Sequence, residues 1–184
     1  MTALHRRHMA SPVGNLAVIA GPDAVVAICW DTEHELGAGT ARNPVEHRLQ
    51  ESEITDVEPG TSEVLDTAID QLAEYFAGQR TSFDLPLEPT GTEFQRSAWV
   101  ALTQIPYGRT ISYGEQARLM GNANKARAVG AANGKNPIPI VVPCHRVVGS
   151  NGALTGFAGG VGVKQWLLAH ELQVRSRATP GQRR

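Results

Sequence analysis

The hydrophobic pattern changes its period along the chain. In SPVGNLAVIAGPDAVVAICW, residues 11–30, short β-prone runs are cut by Pro12-Val13-Gly14 and Gly21-Pro22-Asp23. Apolar runs bounded by such turn formers predict a β-hairpin or meander. Residues 31–60 are polar and acidic with few apolar anchors, and read as a long or poorly ordered connector. The period then lengthens. In TSEVLDTAIDQLAEYFAG, Val64, Leu65, Ala68, Ile69, Leu72, Tyr75 and Phe76 recur at helical spacing. Thr61 or Ser62 is placed to cap that helix and Gly78 to stop it. FDLPLEPTG follows as an extended, proline-broken link.

Helical periodicity dominates the remainder. TEFQRSAWVALTQIPYG presents Phe94, Ala98, Trp99 and Leu102 on one face, with Thr92 at the N-cap and Pro106 and Gly108 at the end. SYGEQARLMG predicts a short helix capped by Ser112 and stopped by Gly121, and NANKARAVGAANGKN a further one ending at Gly134. Two short helices joined by a tight turn have the outline of a helix-turn-helix. PIPIVVP is too rich in proline for a central strand and reads as an extended approach to Cys144. GVKQWLLAHELQ reads as a closing helix.

Composition adds little until it is divided. With 41% hydrophobic and 19% charged residues, the 184-residue chain belongs with folded globular proteins. No apolar run approaches the ~20 residues of a membrane span, and the N-terminus carries no secretory pattern, so a cytoplasmic protein is expected. The net charge of −1 conceals a division: residues 1–89 hold 5 Lys/Arg against 15 Asp/Glu, residues 90–184 hold 12 against 3. A basic second half favours a polyanionic partner over a merely solvated face. The helix carrying Ala126, Arg127, Ala128, Gly130, Ala131 and Ala132 is bare apart from Arg127. Such a helix suits close approach to a minor groove, and equally suits tight packing in a core.

The candidate chemistry lies in PCHR, residues 143–146. Cysteine attacks as its thiolate, which a basic surrounding favours, and His145 can serve as its base if the backbone turns after Pro143. Glu171, one of three acids after residue 89, is placed to orient a histidine. An inert buried Cys144 is the competing reading. A metal site is weak: Cys144 and His145 are adjacent, and Cys29 with His5, His8 or His34 lacks an established ligand spacing.

The stretch IPYGRTISYGEQARLMGNANKARAVGAANGKNPIPIVVPCHRVVGSNGALTGFAGGVGVKQWLLAHE resembles the O6-alkylguanine-DNA alkyltransferases, the methylated-DNA–protein-cysteine methyltransferases. The likeness extends over about residues 91–171 and includes PCHR, the RAVG helix segment and the NP-x-P-x-x-x-PCHR approach; SPVGNLAV and YFAG extend it weakly into the first half. It implies an α/β N-terminal domain, a small β-sheet plus a helix, over residues 1–88. A mainly helical C-terminal domain with a helix-turn-helix of winged-helix type would follow over residues 91–173, then a flexible basic tail over 174–184.

The resemblance implies direct-reversal repair of double-stranded DNA bound through the minor groove. A flipped guanine (or, at O4, thymine) would give its alkyl group to Cys144 in a single turnover, with neither metal nor organic cofactor, by a monomer. His145 would deprotonate Cys144 through a water and Glu171 would hold His145. Asn136 would tie the turn around the cysteine, and Tyr113 would aid flipping and donate to the departing base. Arg127 would fill the gap in the duplex, with Ala126, Ala128 and Gly130 allowing close approach. Pro139, Val142, Phe157, Ala158 and Gly159 would wall the base pocket. Phe157 stands where the family commonly has tyrosine, which keeps the ring and loses a hydroxyl. Ala158 stands where some members carry a small hydroxyl residue. A non-catalytic lesion-binding module and a Cys-His hydrolase remain the alternatives; the presence of Cys144 disfavours the first and the basic second half the other.

Overall fold

The computed structural model describes residues 3–30 and 54–178. Strands β1 (Leu4–Met9), β2 (Leu16–Ala20) and β3 (Val25–Trp30) form the expected antiparallel meander. The alternation of side chains divides β2 between two environments. Leu16, Val18 and Ala20 enter the main core, while Ala17 and Ile19 join Ala27 and Cys29 on the opposite face. A fourth strand, β4 (Ile54–Asp56), lies parallel to β1 at the sheet edge, giving the order β3-β2-β1-β4. Its three residues were expected to belong to a connector. Ile54 packs against the second apolar cluster, and Asp56 pairs with Arg6 at 2.7 Å, contacts that local composition does not reveal. Residues 31–53 of that expected connector, His34 included, lie outside the described residues.

Helix α1 (Glu63–Phe76) covers the main face of the sheet through Leu65, Ala68, Leu72 and Tyr75. Ser62 caps it, and Gly78 ends it at φ 74°, a left-handed conformation that other residues adopt at a cost. Gln71 clamps the link that follows by exchanging two hydrogen bonds with the backbone of Asp84. The link then runs along the edge of β3: Val25 N–H donates to Pro86 O, and Glu88 N–H to Val25 O. Further along the same edge, Ile28 N–H donates to Pro137 O at 2.9 Å, so β3 also supports the approach to Cys144.

The second half is mainly helical. Helix α2 (Glu93–Thr103) begins with a Thr92–Gln95 capping box, and α3 (Tyr113–Leu119) with a Ser112–Glu115 box. Each box satisfies backbone donors that a helix start leaves unpaired. A 3-10 turn over Ala123–Lys125 leads into α4 (Ala126–Asn133). Short strands β5 (Ile111–Ser112) and β6 (Val147–Val148) pair in parallel. Helix α5 (Val161–Ala178) closes the chain and extends well beyond residue 173, where the basic tail was expected to begin; residues 179–184 lie outside the described residues. Trp99 anchors α2 by donating to Ala132 O at 2.9 Å, and Gln116 and Asn133 join α3 to α4 through paired amides. One apolar core runs through both halves, from Leu16 and Leu72 to Trp99, Ile138, Cys144 and Leu167. Full burial of side chains such as Leu102 and Leu167 contributes about 1.5–3 kcal/mol each.

Candidate active site

The approach to Cys144 is a turn and not the expected extended segment. Val142 N–H donates to Ile138 O at 2.9 Å, and Ile140 sits at φ 74°, unusual for a β-branched residue. Asn136 holds the turn together. Its Oδ1 accepts from Ile138 N–H at 3.0 Å, and its Nδ2 donates to Val142 O at 2.8 Å and to Cys144 Sγ at 3.2 Å. The three bonds explain the turn: two prolines restrict the backbone, and a buried amide ties the ends. Cys144–Arg146 then form a 3-10 turn, so the adjacent cysteine and histidine avoid the opposed orientation of an extended chain.

His145 and Glu171 are both fully buried, with Nε2 and Oε1 2.7 Å apart. The carboxylate accepts the Nε2 proton, leaving the Nδ1 lone pair without a protein partner among the described residues. Glu171 also accepts from Arg146, from Gly108 N–H at 2.8 Å and from the Tyr75 hydroxyl at 2.9 Å. Gly108 can approach this closely because it lacks a Cβ and lies at φ 67°. Burial alone would raise the Glu171 pKa, but the hydrogen bonds and charges of His145 and Arg146 hold it at about 2. Burial keeps His145 below its ordinary value despite that carboxylate. The arrangement therefore rests as a neutral imidazole against an ionised carboxylate.

The cysteine departs from one expectation. A basic surrounding was expected to favour the thiolate, yet burial pushes the Cys144 thiol up to about 11, against the opposing effects of Asn136 and Lys164. Only 7% of the residue is exposed. The resting sulfur is a thiol, and ionising it requires an acceptor for its proton.

The other candidates surround this centre in two groups. Tyr113, at the start of α3, donates to Thr155 O at 3.2 Å and so meets the glycine-rich loop. In that loop Phe157 lies edge-on to His145, with centroids 6.4 Å apart, and Ala158 and Gly159 are half-buried. Pro139 and Val142 are buried in the approach turn. On α4, Arg127 and Ala128 are exposed while Ala126 and Gly130 are half-buried; a Cβ on Gly130 would stand 3.5 Å from the Tyr113 ring. The bare face of α4 thus points outward, with its larger apolar residue, Val129, in the core.

Four contributors escaped the sequence reading. Arg146, inside PCHR itself, pairs with Glu171 and donates to Ile105 O at 2.7 Å. Lys164 is buried and donates to Val147 O at 2.6 Å and Thr155 O at 3.0 Å. Its spacing from Leu167 and Glu171 placed all three on one helical face, which was a usable signal. Tyr75 was read only as an apolar position, although a buried tyrosine hydroxyl requires a partner. Trp30 gave no signal, because its contact with the glycine-rich loop joins distant parts of the chain.

Comparison with known proteins extends the likeness to both halves. A model described as the 6-O-methylguanine DNA methyltransferase ribonuclease-like domain matches residues 4–89, and that family's DNA-binding domain matches residues 93–173. The crystal structure of Mycobacterium tuberculosis O6-methylguanine methyltransferase superposes with a TM-score of 0.79 at 39% identity, covering 97% of this chain and 96% of that one. The chain belongs to the 6-O-methylguanine DNA methyltransferase family. Within that family, a methylated-DNA–protein-cysteine methyltransferase of Methanosarcina acetivorans is 58% identical over 101 residues, 55% of this chain. One of Mycolicibacterium paratuberculosis is 60% identical over 104 residues, 56% of this chain. These matches span 65% and 63% of the two relatives' own lengths. A Mycobacterium tuberculosis OGT crystallised in complex with DNA is 40% identical, with a TM-score of 0.76, covering 92% of this chain and 94% of that one.

Proposed function

We propose that the protein repairs DNA by direct reversal, moving a methyl or other alkyl group from O6 of guanine, and also from O4 of thymine, to Cys144. The observation that carries this reading is the buried Asn136–Cys144 contact beside a histidine held at 2.7 Å by Glu171. In the reaction His145 takes the thiol proton through a water at its free Nδ1, and Glu171 stabilises the resulting imidazolium. The sulfur bonds to the alkyl carbon as the carbon–O6 bond breaks in line. The electron pair returns to guanine, and Tyr113 assists its departure by proton donation. One proton leaves the thiol and one is taken up by guanine, so the charges balance without a cofactor. A thioether has no route of hydrolysis comparable to that of a thioester, which makes the protein a single-use acceptor.

A buried sulfur reaches the lesion only if the base leaves the helix, at a cost of a few kcal/mol that is least for damaged pairs. The basic second half and the bare outer face of α4 support binding in the minor groove, with Arg127 entering the stack in place of the flipped base. In this reading α3 and α4 are the helix-turn-helix of a winged-helix-type domain over about residues 91–173, preceded by an N-terminal domain over 1–88. Pro139, Val142, Phe157, Ala158 and Gly159 wall the base pocket. A cytoplasmic monomer accords with this assignment.

The test is intact mass after mixing with an O6-methylguanine duplex. One added methyl group, mapped to Cys144 and absent in Cys144→Ser, is expected. Repeated turnover, or modification at another residue, would overturn the assignment.

A further inference from the structure

Glu171 is held from both halves of the molecule. Its Oε1 accepts from His145 Nε2 at 2.7 Å, from Arg146 at 3.0 Å and from the Tyr75 hydroxyl at 2.9 Å. Tyr75 comes from α1, 96 residues earlier in the chain, and is fully buried. Its ring is fixed by Phe76, Phe83, Tyr107 and His170, with centroids 5.4–6.0 Å away. His170 Nε2–H also donates to the Tyr75 carbonyl at 2.8 Å. The hydroxyl therefore has little freedom to turn elsewhere, and it donates to the oxygen that carries the histidine.

We propose that Tyr75 is a positioning residue of the transfer reaction, by which the N-terminal half fixes the Glu171 oxygen that orients His145 and disperses part of its charge. The proposal rests on the alkyl-transfer reading of Cys144, His145 and Glu171. A hydrogen bond to a carboxylate stabilises its charge and weakens its pull on other donors. With Tyr75 in place, Glu171 holds the imidazole in register without drawing it into the charged form at rest. Burial dominates the raised pKa of Tyr75, with Glu171 contributing to it, so the hydroxyl remains a donor throughout the working range.

The charged and titratable groups around this network come from every packed element. Cys144 and Arg146 flank His145 on the 3-10 turn, Lys164 and Glu171 act on it from α5, where His170 packs against Tyr75, and Tyr75 and Tyr107 approach Glu171 from α1 and the segment after α2. In Tyr75→Phe only one of these groups changes. Losing that donor leaves more negative charge opposite His145, so the imidazolium is stabilised and His145 titrates at higher pH. Since His145 must be neutral to accept the thiol proton, the acid limb of the transfer rate moves upward.

The experiment measures single-turnover transfer to an O6-methylguanine duplex by wild type and Tyr75→Phe from about pH 5.5 to about pH 9. It is paired with an NMR titration of the His145 ring in both proteins. The variant keeps the aromatic ring and its packing. Its acid limb should move up by about half a pH unit, lowering the rate there roughly threefold with a smaller change on the plateau, and the His145 resonances should move with it. An unchanged profile, an equal loss at every pH, or an unmoved His145 titration would overturn the proposal. If wild type transfers no methyl group to Cys144, the functional assignment fails; the NMR titration still decides the Tyr75–His145 coupling.

Discussion

Trp30 stands edge-on to Phe157, their ring centroids 5.6 Å apart and their planes at 71°. Trp30 is the last residue of β3, and its indole N–H is anchored to Val13 O at 3.0 Å. A Cβ on Gly159 would come within 2.8 Å of the same indole. The N-terminal sheet thus supports the glycine-rich loop near Cys144, and a glycine is required where that support is closest.

Gly159→Ala should slow transfer because the anchored indole cannot yield without moving the loop. Trp30→Ala should also slow it by removing the support, and should destabilise the fold by about 1–3 kcal/mol, below the range for a fully buried aromatic. In the double variant the alanine at 159 has room, so its loss should fall short of the sum of the two single-variant losses by roughly 0.5 kcal/mol or more. Denaturant unfolding and single-turnover kinetics of the four proteins test the coupling.

Lys164→Met should remove the donor shared by Val147 O and Thr155 O, leaving the buried Val147 carbonyl without it. A stability loss of about 1–3 kcal/mol is expected, together with slower transfer because Thr155 also receives the Tyr113 hydroxyl. Hydrogen exchange across residues 153–160 should quicken more than exchange in α1.

Stability should fall with acid in two stages. Because burial depresses the His145 pKa, the unfolded state takes up the proton first, and stability is lost as pH drops below its ordinary value of 6.5. Glu171 is held at about 2 against an ordinary 4.5, so its contribution is present above about 4.5 and lost as pH falls toward about 2. In His145→Asn the first stage should flatten, and in Glu171→Gln the second; urea midpoints measured against pH distinguish them.

Cys144 should react slowly with small alkylating reagents at neutral pH. With its thiol at about 11, modification should rise about tenfold per pH unit between about pH 7 and pH 10, and should accelerate greatly at neutral pH after unfolding. Peptide mapping after iodoacetamide pulses reports this residue separately from Cys29.

Ala128→Phe should weaken binding to duplex DNA while leaving reaction with free O6-benzylguanine nearly unchanged, because Ala128 lies on the exposed face of α4. Arg127→Ala should leave the slope of log affinity against log salt nearly unchanged, because the side chain enters the stack; a fall of about 0.9 would place it on a phosphate instead. Fluorescence anisotropy at several salt concentrations separates these outcomes.

Much of the local structure was legible from residue types. Ser62, Thr92 and Ser112 mark helix starts because their side chains satisfy unpaired backbone donors, and Gly78 and Gly121 mark stops because they accept positive φ. Cys144, His145 and Glu171 stood out by chemical type and Asn136 by resemblance, and the fold buries all four, with Asn136 bonded to Cys144 and His145 to Glu171. The approach turn was less legible. Its form depends on Asn136 bridging to Val142 and Cys144, which proline content alone does not specify.

By itself the sequence determined the meander, the capped helices, the division of charge and the choice of Cys144 as the candidate nucleophile, because caps, periodicity and residue chemistry act over a few positions. Tertiary structure alone decided that β4 joins the sheet, that Tyr75 and Trp30 of the N-terminal half meet Glu171 and the glycine-rich loop, and that burial raises the pKa of the Cys144 thiol. Those outcomes depend on burial and on contacts between segments tens of residues apart. Desolvation and the meeting of distant donors and acceptors exist only once the chain has closed on itself.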